Sequence, residues 1–501
     1  MTTITELLAC ADEVSGTSSV GTSASTSVST SASTRATASS AAARSTAASG
    51  PLPGVVGAST TVPLVDGSSR TYANLDCAAS APALESVAAR VAEVLPLYAS
   101  VHRGAGYLSQ VSTALYEASR QAVARFVGAR ADDVCVITRN TTDSLNLLAG
   151  VVPDGGRVLV LDVEHHANLL PWVQRGTGAH AAESRTATVL ALRPTVAATL
   201  EALRDELART PYALLALTGA SNVTGEALPL DDVVALAHAA GTRVAVDGAQ
   251  LVPHRGFSLA ATDVDYVAFS GHKTYAPYGA GALVGRRDWL DTGTPYLAGG
   301  GAVRDVRTDR TLWQPAPARH EAGSPNVIGA IALAQACETL AELPAGALEA
   351  HEQALRTRLV DGLTAVDGVR VARIWPDSPD PVGVVTFTVG DLNPGLVAAY
   401  LSAEHGIGVR DGRFCAHPLL AHLGASQGAV RASIGVGTTA EHVDRLVAAV
   451  AALVDRGTQA GYEVVDGCWS VVDDTRPLVE VRGLDHLAAT AAAACGPAVD
   501  D

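Results

Sequence analysis

A single lysine stands in the chain. Lys273 is one of 35 basic residues counted as Lys plus Arg, and every other one is arginine. Arginine stays protonated in proteins and cannot form an imine, whereas lysine can shed its proton and act as a nucleophile or base. A GC-rich coding bias accounts for the general choice of arginine. A position that holds lysine against that bias needs the chemistry arginine lacks. Lys273 lies in Ser-Gly-His-Lys-Thr-Tyr (270–275), among small residues just after an apolar run. That setting favours an imine-forming lysine over a surface cation.

Such a lysine points to pyridoxal phosphate, and that cofactor has further needs. Its pyridine nitrogen needs a carboxylate that keeps it protonated, so that the ring can withdraw electrons. Its phosphate needs a helix N-terminus with hydroxyl donors. Val-Ala-Val-Asp-Gly-Ala-Gln (244–250) places Asp247 at the end of an apolar strand, with Gln250 one turn on. In open α/β sheets, ligands collect at the carboxyl ends of strands. Asp247 is therefore the expected partner of the pyridine nitrogen. Asn-Thr-Thr-Asp (140–143) precedes the helical run Ser-Leu-Asn-Leu-Leu-Ala-Gly. It reads as a helix cap that also serves as a phosphate seat.

The elements around these residues alternate. Strand-type runs at 134–138, 158–162, 189–192, 214–218, 244–247, 266–270 and 282–284 are separated by helical runs such as 200–208 and 231–240. This predicts an α/β domain with a mostly parallel sheet buried on both faces. It is expected to be a large cofactor-binding domain over 85–330, with the folded body starting near Thr71. After Pro325 the pattern changes to a long helix over 328–343, then helices and short strands including 384–389 and 430–434. Thr438 with Glu441 reads as a capping box for a helix reaching Val454. These elements predict a smaller α+β domain over 331–456, joined by the segment 61–84. Residues 1–60 are rich in Ser, Thr and Ala. With so few large apolar side chains they are expected to be disordered. Residues 457–501 form an acidic extension in which no motif is evident.

Composition narrows the function classes. A formal charge of −16 argues against nucleic acid and anionic membrane as partners. No apolar run reaches the roughly 18 residues of a membrane span, and the N-terminus shows no export signal. The seven cysteines (Cys10, Cys77, Cys135, Cys337, Cys415, Cys468 and Cys495) are widely spaced, with no CxxC pair or Cys/His cluster. Neither a metal site nor a disulfide framework is suggested, and a reduced, cytoplasmic chain is expected.

Eight segments then occur in a telling order: NTTDSLN, EHHANLLPW, SNVTGEALP, VDGAQ, SGHKTYAPYG, EAGSPN, RDGRFCAHP and VRASIG. Together they resemble the class V aminotransferase superfamily, and within it the group II cysteine desulfurases and selenocysteine lyases, from about Tyr72 to Val454. The resemblance implies the type I fold of pyridoxal-phosphate-dependent transferases. It makes Lys273 the Schiff-base lysine and Asp247 the pyridinium partner, with Gln250 and Asn222 on the ring-hydroxyl side and His165 stacked on the ring. It gives Thr141, Thr142, Ser270 and His272 to the phosphate, and Ser324 to the phosphate of a partner subunit in a homodimer. It makes Arg431 the residue that grips the substrate carboxylate, places Arg410 near the cysteine loop, and lines the site with His102 and Arg103. Cys415 would take sulfur from L-cysteine or L-selenocysteine as a persulfide, leaving alanine, and a sulfur-acceptor protein would discharge it. Nearby Arg410 and Arg413 favour a thiolate there.

This chain departs from the family at the loop itself. Two histidines usually precede the cysteine; here stand Arg413 and Phe414, with His417 two places beyond it. Phe414 cannot relay protons. Two other readings stay open on these residues. One is a pyridoxal-phosphate lyase, epimerase or transaminase with Cys415 incidental. The other is a non-catalytic binding module, which the intact Lys273, Asp247 and His165 oppose.

Overall fold

The protein is described from a computed structural model, which covers residues 52–102, 104–173, 187–481 and 484. The expectation of disorder for 1–60 therefore falls almost wholly outside the described residues, as do Cys10 and Cys495.

Seven strands form the central sheet: β1 (Val134–Thr138), β2 (Val158–Leu161), β3 (Ala187–Leu190), β4 (Leu214–Thr218), β5 (Arg243–Asp247), β6 (Tyr266–Ser270) and β7 (Gly281–Gly285). Their spatial order is β1-β7-β6-β5-β4-β2-β3. All neighbours run parallel except β7, which is antiparallel to both β1 and β6. The inner strands read as unbroken apolar runs because helices cover both faces; β1, β2, β4, β6 and β7 are buried along their whole length.

The flanking helices include α1 (Tyr107–Phe126), α2 (Thr141–Val151), α3 (His166–Val173) and α4 (Val327–Ala341). Helix α4 differs from its expected place. The sequence pattern places it mostly in the smaller domain, yet Val327, Ala330, Ile331, Ala334 and Cys337 share a core with Tyr116 and Val123 of α1. Its sequence is apolar almost all round, which suits a helix enclosed in a large core.

A second sheet of four antiparallel strands follows: β8 (Val369–Val371), β9 (Val384–Val389), β10 (Arg410–Gly412) and β11 (Ala429–Ser433), in the order β8-β9-β11-β10. Helices α5 (Pro394–His405) and α6 (Ala440–Arg456) pack on it. Ala73 and Leu75 lie fully buried in the same core with Phe387, Val443 and Leu446.

Three local expectations are corrected. Ordered structure begins well before Thr71: Val55 is 6% exposed and packs with Leu84, Tyr275 and Val436. Its partners lie far along the chain, so no local periodicity marks it. The capping box of α6 is formed by Thr439 and His442, not Thr438 and Glu441. The Thr438 hydroxyl is already engaged, accepting from the Gly435 amide at 2.9 Å. The extension after 457 begins with a hairpin, β12 (Tyr462–Val465) and β13 (Cys468–Val471). Glu404 on α5 ties it down, accepting from the Gln459 and Ala460 amides and from the Tyr462 hydroxyl at 3.0–3.1 Å.

Candidate active site

The carboxyl ends of β4, β5 and β6 open into a cavity of about 380 Å³. Its walls include Lys273, Asp247, His165, Gln250, Asn222, Thr141, Thr142, Ser270, His272, Arg410, Cys415 and Arg431. Residues as far apart in sequence as Thr141 and Arg431 thus share one space. Sheet register does part of this work: Thr218, the last residue of β4, stands beside Asp247, the last of β5.

One end of the cavity is built around the first turn of α2. Asn140 caps that helix by accepting from the Asp143 amide at 2.9 Å. Ser270, ending β6, holds the turn in place. Its hydroxyl accepts from the Thr141 amide at 2.8 Å and bonds the Thr141 hydroxyl at 2.7 Å. Gly281 permits the approach, since a Cβ there would lie 2.7 Å from the Asn140 Cα. Amides and hydroxyls at a helix N-terminus form an anion site. His272 lies beside it, and burial lowers its pKa to about 4, so it faces the cavity as a neutral ring.

Asp247 is buried, with the Ala249 amide donating to Oδ1 at 2.9 Å. Burial raises its pKa, so its charged form calls for a cationic partner. Burial also lowers Lys273 to about 8, against the pull of Asp247 in the other direction. His165 is lowered to about 3, chiefly by burial and then by Lys273. Its Nδ1 accepts from the Ala167 amide at 3.0 Å, leaving the proton of the neutral ring on Nε2. Gln250 donates to the Ala78 carbonyl at 2.8 Å, while its Oε1 is buried without a hydrogen-bond partner.

The opposite wall carries the cysteine loop and the buried Arg431 on β11. The Arg431 guanidinium donates to the Asn222 carbonyl at 2.9 Å and to Asp76 at 3.2 Å, and its Nε lacks a partner. Burial raises Asp76 in pKa, and Arg431 opposes that shift. Phe414 and Cys415 both have left-handed backbones, at φ 54° and 53°. The Asn222 side-chain amide donates to the Phe414 carbonyl at 2.8 Å, and the His166 amide to the Cys415 carbonyl at 2.8 Å. His166 thus ties the start of α3 to the cysteine loop. Its ring also meets His417 edge to face, with centroids 4.4 Å apart.

Not every expected residue joins the cavity. Ser324, expected at the phosphate of a partner subunit and not in the cavity of its own chain, is exposed and outside these walls. His102 is also exposed, and bonds Glu117 at 2.9 Å instead. Arg103 lies outside the described residues. Asp76, Ala78 and Ala79 enter the site unforeseen; only their place in the small-residue stretch Asp-Cys-Ala-Ala-Ser (76–80) hinted at them. Asn222, expected beside a ring hydroxyl, commits its side-chain N–H to the cysteine loop.

The Aminotransferase class-V family model matches residues 73–446. The chain belongs to the class-V aminotransferase family. Among its class-V relatives, a probable cysteine desulfurase of Vibrio cholerae is 36% identical, covering 71% of this chain and 87% of that protein. A cysteine desulfurase of Pectobacterium atrosepticum is 37% identical over 75% of this chain and 91% of its own length. Two solved structures share the fold. A cysteine desulfurase from Escherichia coli has a TM-score of 0.68 at 36% identity, covering 77% of this chain and 94% of that one. One from Thermococcus onnurineus has a TM-score of 0.69 at 32% identity, covering 77% and 95%.

Class-V enzymes depend on pyridoxal phosphate, and the polar groups of this cavity fit it. The orphaned Gln250 Oε1 can accept from a ring hydroxyl. The buried Asp247 carboxylate suits a pyridinium N–H. The α2 N-terminus with Thr141 and Ser270 suits a phosphate. Among the described residues no cluster of His, Cys, Asp and Glu suits a metal ion, and no helix is long and apolar enough to cross a membrane.

Proposed function

We propose that the chain is a pyridoxal-phosphate-dependent cysteine desulfurase that converts L-cysteine to L-alanine and carries the sulfur as a persulfide on Cys415. The carrying observation is that Cys415, Lys273 and Arg431 face one cavity. In this reading Lys273 holds the cofactor covalently, Asp247 pairs with its ring nitrogen, and His165 lies against its face as a neutral ring. When bound, the cofactor withdraws electron density from the substrate Cα. Arg431 receives the substrate carboxylate through the donors it still has free. Lys273, with its pKa brought down to about 8, moves the Cα proton, a task that needs a pKa near the working pH. The Cys415 thiolate attacks the substrate sulfur. An S–S bond forms at Cys415 as the S–Cβ bond breaks. The electron pair stays with carbon, which takes a proton and leaves in alanine. A thiol acceptor, in this reading a sulfur-carrier protein, then removes the sulfur.

A homodimer belongs to the same reading. Thr142 lines the cavity yet is exposed in the single chain, and Ser324 is exposed nearby in sequence to α4. Tyr98, Tyr107 and Leu108 are 52%, 63% and 40% exposed, an apolar stretch that a second subunit would cover. The deciding assay measures alanine and sulfide from L-cysteine with a reductant present. Equal yields of both support desulfuration, and absence of alanine overturns it. Light scattering at a two-chain mass supports the dimer, and a one-chain mass rejects it.

A further inference from the structure

Phe414 puts an apolar ring into the cysteine loop at a left-handed backbone position, and its contacts form a closed circuit. Its ring is 4% exposed and packs in the large core beside Ala416, Leu419 and Leu420. The Arg431 guanidinium carbon lies over that ring, 5.1 Å from its centroid. Arg431 Nη1 donates to the Asn222 carbonyl at 2.9 Å. The Asn222 side chain in turn donates to the Phe414 carbonyl at 2.8 Å. The circuit joins the loop after β4, the middle of β11 and the cysteine loop.

We propose that Phe414 is a positioning residue that couples the Cys415 loop to Arg431 and so sets the preference of the site for thiol substrates bearing an α-carboxylate. A residue that merely filled the core would not need a left-handed backbone, which non-glycine residues rarely adopt. A phenyl face attracts a guanidinium through its quadrupole, most strongly where water is excluded. It does so without accepting the in-plane N–H donors. A carboxylate in its place would occupy those donors, and a protonated histidine would repel the cation. Phe414 therefore holds the planar group flat while leaving Nε, buried and unpartnered, for an incoming carboxylate. Because the same residue carries the backbone that leads into Cys415, the carboxylate grip and the thiol are located by one side chain.

The proposal rests on the reading that Arg431 receives the substrate carboxylate, and the test separates the two. Holoenzyme is prepared as wild type, Phe414→Leu, Phe414→Met, Phe414→Tyr and Arg431→Gln. Binding of L-cysteine and of cysteamine, which lacks the carboxylate, is titrated on the cofactor absorbance, with KM and kcat measured for L-cysteine. Leu and Met are both unbranched at Cβ, so neither adds strain at the left-handed position, and either one suffices if the other fails to fold. The expected result is an L-cysteine affinity about tenfold weaker in both apolar variants. Phe414→Tyr should stay within about twofold of wild type because it keeps the ring face. Cysteamine binding should change by less than about twofold in each. Wild-type affinity for L-cysteine in the Leu and Met variants, alongside a loss in Arg431→Gln, overturns the coupling and leaves the carboxylate reading standing. Unchanged L-cysteine binding in Arg431→Gln overturns that reading and the coupling with it. Equal losses for L-cysteine and cysteamine show a general collapse of the site and also overturn the proposal.

Discussion

The floor of the cavity and its cysteine wall are built on different principles. On the floor, Asp247 and Ser270 end strands of the central sheet, and Lys273 follows β6 within a short turn. Ladders on both sides hold Asp247 and a ladder to β7 holds Ser270, so these two strand ends inherit their places from many main-chain hydrogen bonds. The wall is a loop. Phe414 and Cys415 both sit at positive φ, and their holds include two accepting carbonyls and one buried ring. In the proposed reading, the groups that hold the cofactor stand on or next to the sheet, while the thiol that would carry sulfur stands on a loop. Loss of one wall contact should therefore misplace the thiol, whereas the floor should tolerate the loss of any single neighbour.

Four experiments test that contrast, and the largest effect belongs to the floor. Lys273→Ala should lower alanine formation by about 10³-fold or more, and borohydride should no longer fix the cofactor to the chain. Turnover within tenfold of wild type would remove the lysine from the centre of the floor. Next comes the wall. Cys415→Ser should bind cofactor and L-cysteine as the wild type does while sulfide and alanine formation drop by roughly 10²-fold or more, since a hydroxyl attacks sulfur poorly. Cys337→Ser is the control, because that residue is fully buried in α4; it should cost only stability, about 1 kcal/mol. Wild-type alanine release by Cys415→Ser would mean that the loop is scaffold only.

A third effect is graded with pH. Burial disfavours the ammonium form of Lys273 and brings its pKa down to about 8. The neutral amine is the reactive form, so it grows as pH rises through that value. Uptake of cofactor by the apo chain should speed up between about pH 6 and pH 9 and then level off. A midpoint near the ordinary lysine value would show that the floor is wet rather than enclosed. The smallest effect sharpens the boundary of the floor. Val55 packs on Tyr275, two residues past Lys273. A chain starting at 52 should melt like the full chain. One starting at 61 loses that buried side chain and should be about 1.5–3 kcal/mol less stable. Equal melting of the two would show that the segment 52–60 adds nothing to the lysine turn.

The sequence alone was enough to single out the lysine, the strand-end aspartate and the parallel architecture. A lone lysine in an arginine-rich chain is a chemical choice visible without coordinates. Strands buried on both faces must be apolar throughout, so β4, β5 and β6 could be read locally, and Asp247 stood out as the charge that interrupts such a run. What only the tertiary structure decided are the pairings between distant segments. Asp76 meets Arg431, Asn222 turns its amide to the Phe414 carbonyl, and α4 joins the large core. The hairpin at 462–471 docks through Glu404, and Thr438 gives up its capping role because Gly435 claims its hydroxyl. Each depends on a partner that no local period encodes. Strand and helix patterns follow from burial along one element, whereas a buried polar group finds its hydrogen-bond partner only when two elements are brought together.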